Sequence, residues 1–238
     1  MLENLPDVIG HALRHRRAGL DQVAFNLIDL RAGTASIVVA SMAFHDHGPI
    51  PSRYTADGEG ISPPLSWTGI PAGADALLLL VEDADAPTSH PLVHAIVAGI
   101  VPEDGALAEG GIDPEHANRE AVTVSTEPSV STSPSSLSPP QDLHWRVGRN
   151  SYLQTNWLAP DPPPGHGVHR YVFQVYALEP GEALPSTPGR DAVLEAIRTR
   201  GIASGMLIGT YERPDGSIAN PTASAAGEAD SPAGMTPA

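Results

Sequence analysis

Apolar positions along the chain fall into two textures. Within residues 7–31 they repeat at helical spacing: Leu20, Val23, Ala24, Leu27 and Ile28 stand at i, i+3, i+4, i+7 and i+8, with Arg31 next in the series. That spacing predicts an amphipathic helical segment with one apolar stripe, and Gly33 stands where such a helix would stop. The stripe either covers the chain's own core or joins two copies as a homodimer. From Ser36 the period shortens. SIVVASMAF is apolar and β-branched, DALLLLVEDADAP opens on a run bounded by turn formers, and HPLVHAIVAGIVP reads as another strand. In HRYVFQVYAL, Tyr171, Phe173, Val175 and Ala177 fall on one face and Val172, Gln174, Tyr176 and Leu178 on the other. LIGTYER completes the strand set, and DAVLEAIRTRGIA reads as a short helix before it.

The expected organisation follows. Residues 1–35 form an N-terminal helical extension, 36–213 a mainly β domain, and 214–238 a solvated tail. Within the domain, 125–142 is a low-complexity insertion in which 13 of 18 residues are Ser, Thr or Pro, a composition that buries too little to offset chain ordering. The 25 Pro and 23 Gly of the 238 residues fit many short elements joined by turns.

Charge narrows the chemistry. The net charge is −15, and all 13 basic residues are Arg. A surface of this sign repels nucleic acid and anionic membranes. Without Lys there is no phosphate-binding loop of the Gly-Lys-Ser/Thr kind and no Schiff base. Without Cys there are no disulfides, thiol nucleophiles or thiolate metal sites. Glu3, Pro6 and Asp7 interrupt the stretch a signal peptide would need, and no run is long enough to span a bilayer. The expected address is cytoplasmic, with no stable membrane insertion.

Three strand ends carry polar groups out of keeping with their neighbours. Glu82-Asp83-Ala84-Asp85-Ala86-Pro87 follows the LLLLV run; there Asp85 and Pro87 suit a turn, and Asp83 stands nearer the strand. His94 interrupts an apolar strand. PDPPPGHGVHRYVF is a rigid loop leading into a strand on which His169 and Tyr171 share a face while Arg170 points away, to pair with a carboxylate or a loop carbonyl.

Four motifs in order then resemble one family. They are DGEGISPPLSW at 57–67, DADAP at 83–87 with His94, PPPGHGVHRY at 162–171, and GTYER at 209–213. Together they resemble the phosphatidylethanolamine-binding proteins, whose bacterial branch is called Raf-kinase-inhibitor-like, over about residues 37–213. The resemblance implies a two-sheet Greek-key sandwich with a small pocket at one end. It implies that Asp83, His94, Pro163, His169 and Tyr171 bind the ligand and that Asp85 and Pro87 shape the wall. Asp161, where the family has a small or neutral residue, is a third pocket-shaping residue, and with Ala95, where the bacterial branch has an aromatic, it sets this chain apart.

The expected function is therefore non-catalytic binding of a small phosphate-bearing or other anionic ligand, such as a phosphoethanolamine-type headgroup. No cofactor is called for. Rival readings are a regulator or inhibitor of a kinase or protease acting through the pocket rim, with its protein target unassigned, and a metal-independent hydrolase. A metal centre on Asp83, His94 and His169, or a second on His45, Asp46 and His47, completes the alternatives.

Overall fold

The computed structural model describes residues 7–30, 35–112 and 145–213. The insertion at 125–142, the tail at 214–238, Arg31 and Gly33 lie outside these. In chain order the strands are β1 (Ala35–Ser36), β2 (Val38–Ala40), β3 (Gly48–Pro49), β4 (Leu65–Thr68), β5 (Ala76–Asp83), β6 (Leu92–Ile100), β7 (Gly105–Leu107), β8 (Arg146–Val147), β9 (His169–Leu178) and β10 (Gly201–Tyr211). The helices are α1 (Asp7–Leu13), α2 (Ala24–Leu27) and α3 (Arg190–Arg200), with short 3-10 turns at Leu20–Gln22 and Ser52–Tyr54. The expected mainly β, two-sheet architecture is the one observed.

The larger sheet has seven strands in the order β1-β10-β9-β5-β6-β8, with β3 also on β10; the smaller runs β2-β4-β7. The β1 and β3 pairings with β10 are parallel, and the other pairings are antiparallel. SIVVASMAF does not form one strand. It breaks at buried Ile37, so β1 joins the large sheet and β2 the small one. At the other end, the predicted helix stops at Arg200, and Gly201-Ile202-Ala203 already belongs to β10.

β5 lies between β9 and β6 with both faces covered, which is why its sequence runs apolar without alternating. Leu77, Leu79 and Val81 face the small sheet, packed with Tyr171, Phe173 and Val175 of β9. Leu78 and Leu80 face a second layer that contains Val193, Leu194 and Ile197 of α3 together with Ala24 and Ile28. All five β5 residues are fully buried, worth roughly 2 kcal/mol each before chain entropy is charged against them. The two faces read from alternation in β9 are the two faces found.

The continuous helix read over 7–31 is interrupted. After α1 the backbone extends, and the Ala18 and Gly19 amides donate to the Ala86 and Ala84 carbonyls at 3.0 and 2.8 Å. Gly19 takes φ +100°, open to glycine and strained for other residues. These pairings outweigh helix propensity between Leu13 and Leu20, leaving two short helical pieces. The apolar stripe is used within the domain: Val23 and Ala24 are fully buried and Ile28 nearly so. Glu82 holds this layer in place. Buried on the opposite face from Asp83, it accepts from the Ala24 amide (2.8 Å), Gln174 Nε2 (2.8 Å) and Arg190 Nε (2.7 Å).

Candidate functional site

Three strand ends meet at one edge of the large sheet. Asp83 at the end of β5 stands opposite Tyr171 of β9 on one side and Leu92 of β6 on the other. Between β5 and β6 the register slips: Val81 pairs with Ala95, Glu82 pairs with Val93, and His94 is the extra residue. Ile96 and Ala98 belong to the helical layer, and strict alternation would send His94 with them. The bulge turns it instead toward Tyr171 and Trp157, whose ring centroids lie 5.1 and 6.1 Å from its own.

One half of the site is a closed hydrogen-bond chain. Asp83 Oδ1 accepts the Asp85 amide at 2.8 Å, and Asp83 Oδ2 stands 2.7 Å from His169 Nδ1. His169 Nε2 stands 2.7 Å from His166 Nδ1, and His166 Nε2 donates to the Leu13 carbonyl at 2.9 Å. That carbonyl can only accept, so the His166 proton lies on Nε2 and its Nδ1 is free to accept from His169. Burial and the neighbouring His169 both push the His166 imidazole below its ordinary value, which keeps it neutral. Both ring nitrogens of His169 are thus engaged, Nδ1 with the Asp83 carboxylate and Nε2 with His166.

Asp85 anchors the same half from beneath. Buried completely, it accepts from the Arg170 amide at 2.9 Å and from Arg170 Nε and Nη2 at 2.6 Å each, and it pairs with Arg17 Nη1 at 2.9 Å. Burial alone would lift its carboxyl. The Arg170 and Arg17 guanidiniums outweigh that and leave it below its ordinary value. Arg17 also donates to the Val168 and His166 carbonyls, at 2.7 and 3.1 Å. The N-terminal segment is thus bolted to the loop that carries both histidines. Gly10 of α1 lies so close to the Pro164 carbonyl that a β-carbon would overlap it.

The other half is less committed. His94 Nδ1 donates to the Leu158 carbonyl at 2.6 Å, and the Leu158 amide donates back to the His94 carbonyl at 2.9 Å. His94 Nε2, Tyr171 Oη and Trp157 Nε1 are buried and have no hydrogen-bond partner among the described residues. Burial, against the pull of Asp83, keeps the His94 imidazole below its ordinary value. Burial with Asp83 and Asp161 nearby holds the Tyr171 phenol well above its own, so it keeps its proton. A cavity of about 40 Å³ opens here, lined by Asp83, Pro87, Leu92, His94, Tyr152, Asp161, Pro162 and His169 among others. Its size is on the order of three water molecules.

The charge on Asp161 is answered within the protein. Asp161 Oδ1 lies 2.7 Å from Arg213 Nη1, while Arg213 Nε and Nη2 grip Asp57 at 2.9–3.0 Å. Arg213 Nη1 also donates to the Pro162 carbonyl at 3.1 Å. The last residue of GTYER therefore ties the proline loop to the DGEG loop, a structural task the motif alone does not reveal.

Of the residues named from sequence, Asp83, Pro87, His94, Asp161 and His169 line the cavity. Three do not. Pro162 takes the wall position expected for Pro163, whose carbonyl accepts the His166 amide at 3.1 Å. Tyr171 stands behind His94, and Asp85 is a buried anchor for two arginines. Sequence reasoning missed His166, although a second imidazole three residues before His169 in a Gly-flanked loop was a usable signal. Tyr152 and Leu158 were also missed, because a turn with no periodicity advertises neither. His45 and His47 lie on an exposed bend, with His47 Nδ1 against Asp46 at 2.9 Å and φ +59° at His47. Among the described residues no group of three His, Asp or Glu side chains is arranged to hold a metal ion.

A mainly β fold of two sheets, with a small polar cavity where the strands carrying Asp83, His94 and His169 end, defines the class. The model of the phosphatidylethanolamine-binding protein family matches residues 40–212, and the chain belongs to that family. A UPF0098 protein of Methanothermobacter thermautotrophicus is 36% identical over 171 residues, covering 72% of this chain and 95% of that one. A Mycobacterium tuberculosis protein named as a lipoprotein, LppC, is 35% identical over 178 residues, covering 74% of this chain and 72% of its own. The crystal structure of a phosphatidylethanolamine-binding protein homologue from Chlamydia trachomatis superposes with a TM-score of 0.58 at 30% identity, covering 75% of this chain and 98% of that one. Membership supports a ligand-binding or regulatory role in general terms. α1 and the Arg17 anchor lie before the matched region. Among the described residues no helix is long and apolar enough to cross a membrane.

Proposed function

We propose that this protein binds a small phosphate-bearing or other anionic ligand, of the phosphoethanolamine type, without turning it over. The carrying observation is the cavity of about 40 Å³ beside buried, uncommitted polar atoms of His94 and Tyr171. His94 and His169 line the cavity, and the Tyr171 hydroxyl, unpartnered among the described residues, lies behind His94. Arg213 offsets Asp161 and lowers the electrostatic cost of bringing an anion there. A non-catalytic role is supported by His169, the group a hydrolase would use as base, having both ring nitrogens committed. Titration calorimetry with O-phosphoethanolamine is the test. Saturable binding that weakens at least tenfold in His94→Leu, with no hydrolysis of p-nitrophenyl phosphate, is the expected result. Equal binding by wild type and His94→Leu would remove His94 from the site, and turnover would move the protein to the enzymes. A cytoplasmic address belongs to the proposal, and recovery of the native protein in a membrane or exported fraction would overturn it.

A second reading, regulation of a kinase or protease through the rim, is favoured by a neighbouring cleft. This cleft of about 690 Å³ shares Leu92 and Tyr152 with the small cavity and is bordered by His90, Arg149 and Leu153. Leu153 is 77% exposed at φ +61°, a projecting apolar side chain suited to a protein contact. Leu153→Asp should leave phosphoethanolamine binding unchanged while abolishing inhibition of a responsive kinase or protease.

A further inference from the structure

The small cavity is walled by Ala86 and Pro87 of the turn after β5, and by Pro162 and His169 of the proline loop and the start of β9. The N-terminal segment reaches both walls. On the turn, the Ala84 and Ala86 carbonyls accept the Gly19 and Ala18 amides, and the Asp85 carboxylate pairs with Arg17 Nη1 at 2.9 Å. On the loop, the Leu13 carbonyl accepts from His166 Nε2 at 2.9 Å. Arg17 donates from Nη1 to the Val168 carbonyl at 2.7 Å and from Nη2 to the His166 carbonyl at 3.1 Å. One guanidinium thus spans the two walls.

The loop needs such a tether. Gly165 and Gly167, at φ +75° and +91°, flank His166, and glycine gives the backbone little conformational preference of its own. What holds His166 also holds His169, because His166 Nδ1 meets His169 Nε2 at 2.7 Å and His169 lines the cavity. A binding group has to be kept within about 0.5 Å of its working position, and a cavity of about 40 Å³ leaves little slack. The segment that supplies this support lies before residue 40, where the family match begins.

Resting on the anion-binding role proposed above, we infer that the N-terminal segment is a working part of the pocket, in which Arg17 and His166 are positioning residues that staple the two walls together and set ligand affinity without lining the cavity. Such coupling is reciprocal. If the segment tightens the grip on a ligand, a bound ligand holds the segment down by the same factor, and the Ala18 and Gly19 amides report it.

The test uses the full chain with O-phosphoethanolamine as probe, each variant being confirmed as folded by circular dichroism. Titration calorimetry should show affinity weakened about tenfold in Arg17→Ala, although its thermal midpoint moves little, and by at least as much in His166→Leu. His166→Gln should bind nearly as the wild type does, since its amide can donate to the Leu13 carbonyl while its oxygen accepts from His169. In the wild type, hydrogen exchange at the Ala18 and Gly19 amides should slow about tenfold when the probe saturates the pocket. Wild-type affinity in folded Arg17→Ala and His166→Leu, or exchange at Ala18 and Gly19 that the probe leaves unchanged, would reduce the segment to a structural brace; this inference would fall and the anion pocket would stand. Should His166→Leu not fold, Arg17→Ala and the exchange measurement decide the matter. No saturable binding by the wild type would overturn both readings.

Discussion

His94 and His169 are both almost fully buried at the same sheet edge, yet their surroundings differ in kind. His169 has a partner on each nitrogen and sits within a chain of polar groups that reaches the Leu13 carbonyl of the N-terminal segment. His94 has one nitrogen fixed by a backbone carbonyl and the other uncommitted. Buried polar groups are costly unless satisfied. The satisfied histidine therefore supports stability and holds the loop in shape, and the half-satisfied one keeps an unspent hydrogen bond for a ligand. The fold concentrates its polar network behind the pocket and leaves the pocket face sparse.

The contrast can be broken most forcefully from beneath. Asp85→Ala would strand two guanidiniums at the base of the closed half and should cost about 3 kcal/mol, read as a lower urea midpoint with unchanged slope. His169→Leu should come next, at about 2–3 kcal/mol, because it leaves the buried Asp83 carboxylate without its ring N–H partner. His94→Leu should cost only about 1 kcal/mol in the same assay, since it loses one bond to Leu158 and also removes an orphaned nitrogen. If His94→Leu proved the more damaging of the two, the division of labour drawn here would be reversed.

The pH profile sharpens the same comparison. His94 and His166 are held below their ordinary value in the folded chain. The stability that depends on their neutrality is complete above about pH 6.5 and is lost as pH falls toward and through their folded values, at up to about 1.4 kcal/mol per pH unit for each proton. A separate loss belongs below about pH 4, where Asp85, also held low, takes up a proton. Thermal melts from pH 8 to pH 5 should show a falling midpoint, and His166→Gln should flatten it. The smallest effect is expected from Arg17→Ala, about 0.5 kcal/mol, since this guanidinium is partly exposed. A loss larger than that of Asp85→Ala would place the N-terminal segment at the centre of the closed half instead of its edge.

The alternation of HRYVFQVYAL fixes which residues share a face wherever that strand lies, and the run LLLLV demands cover on both sides; each expectation depends on a period that one strand carries by itself. The motifs at 57–67, 83–87, 162–171 and 209–213 likewise mark the family and bring Asp83, His94 and His169 to notice. The local pattern could not reveal that Ile37 divides one apolar run between two sheets, or that backbone pairing with Ala84 and Ala86 breaks the helix before Leu20, since both follow from partners distant in sequence. The bulge that turns His94, the choice of Pro162 over Pro163, the neutralisation of Asp161 by Arg213 and the recruitment of His166 also arise only when separate loops meet. Residue types and periods are properties of the chain. Protonation, tautomer and the direction a side chain faces are properties of its neighbours, and folding alone supplies those.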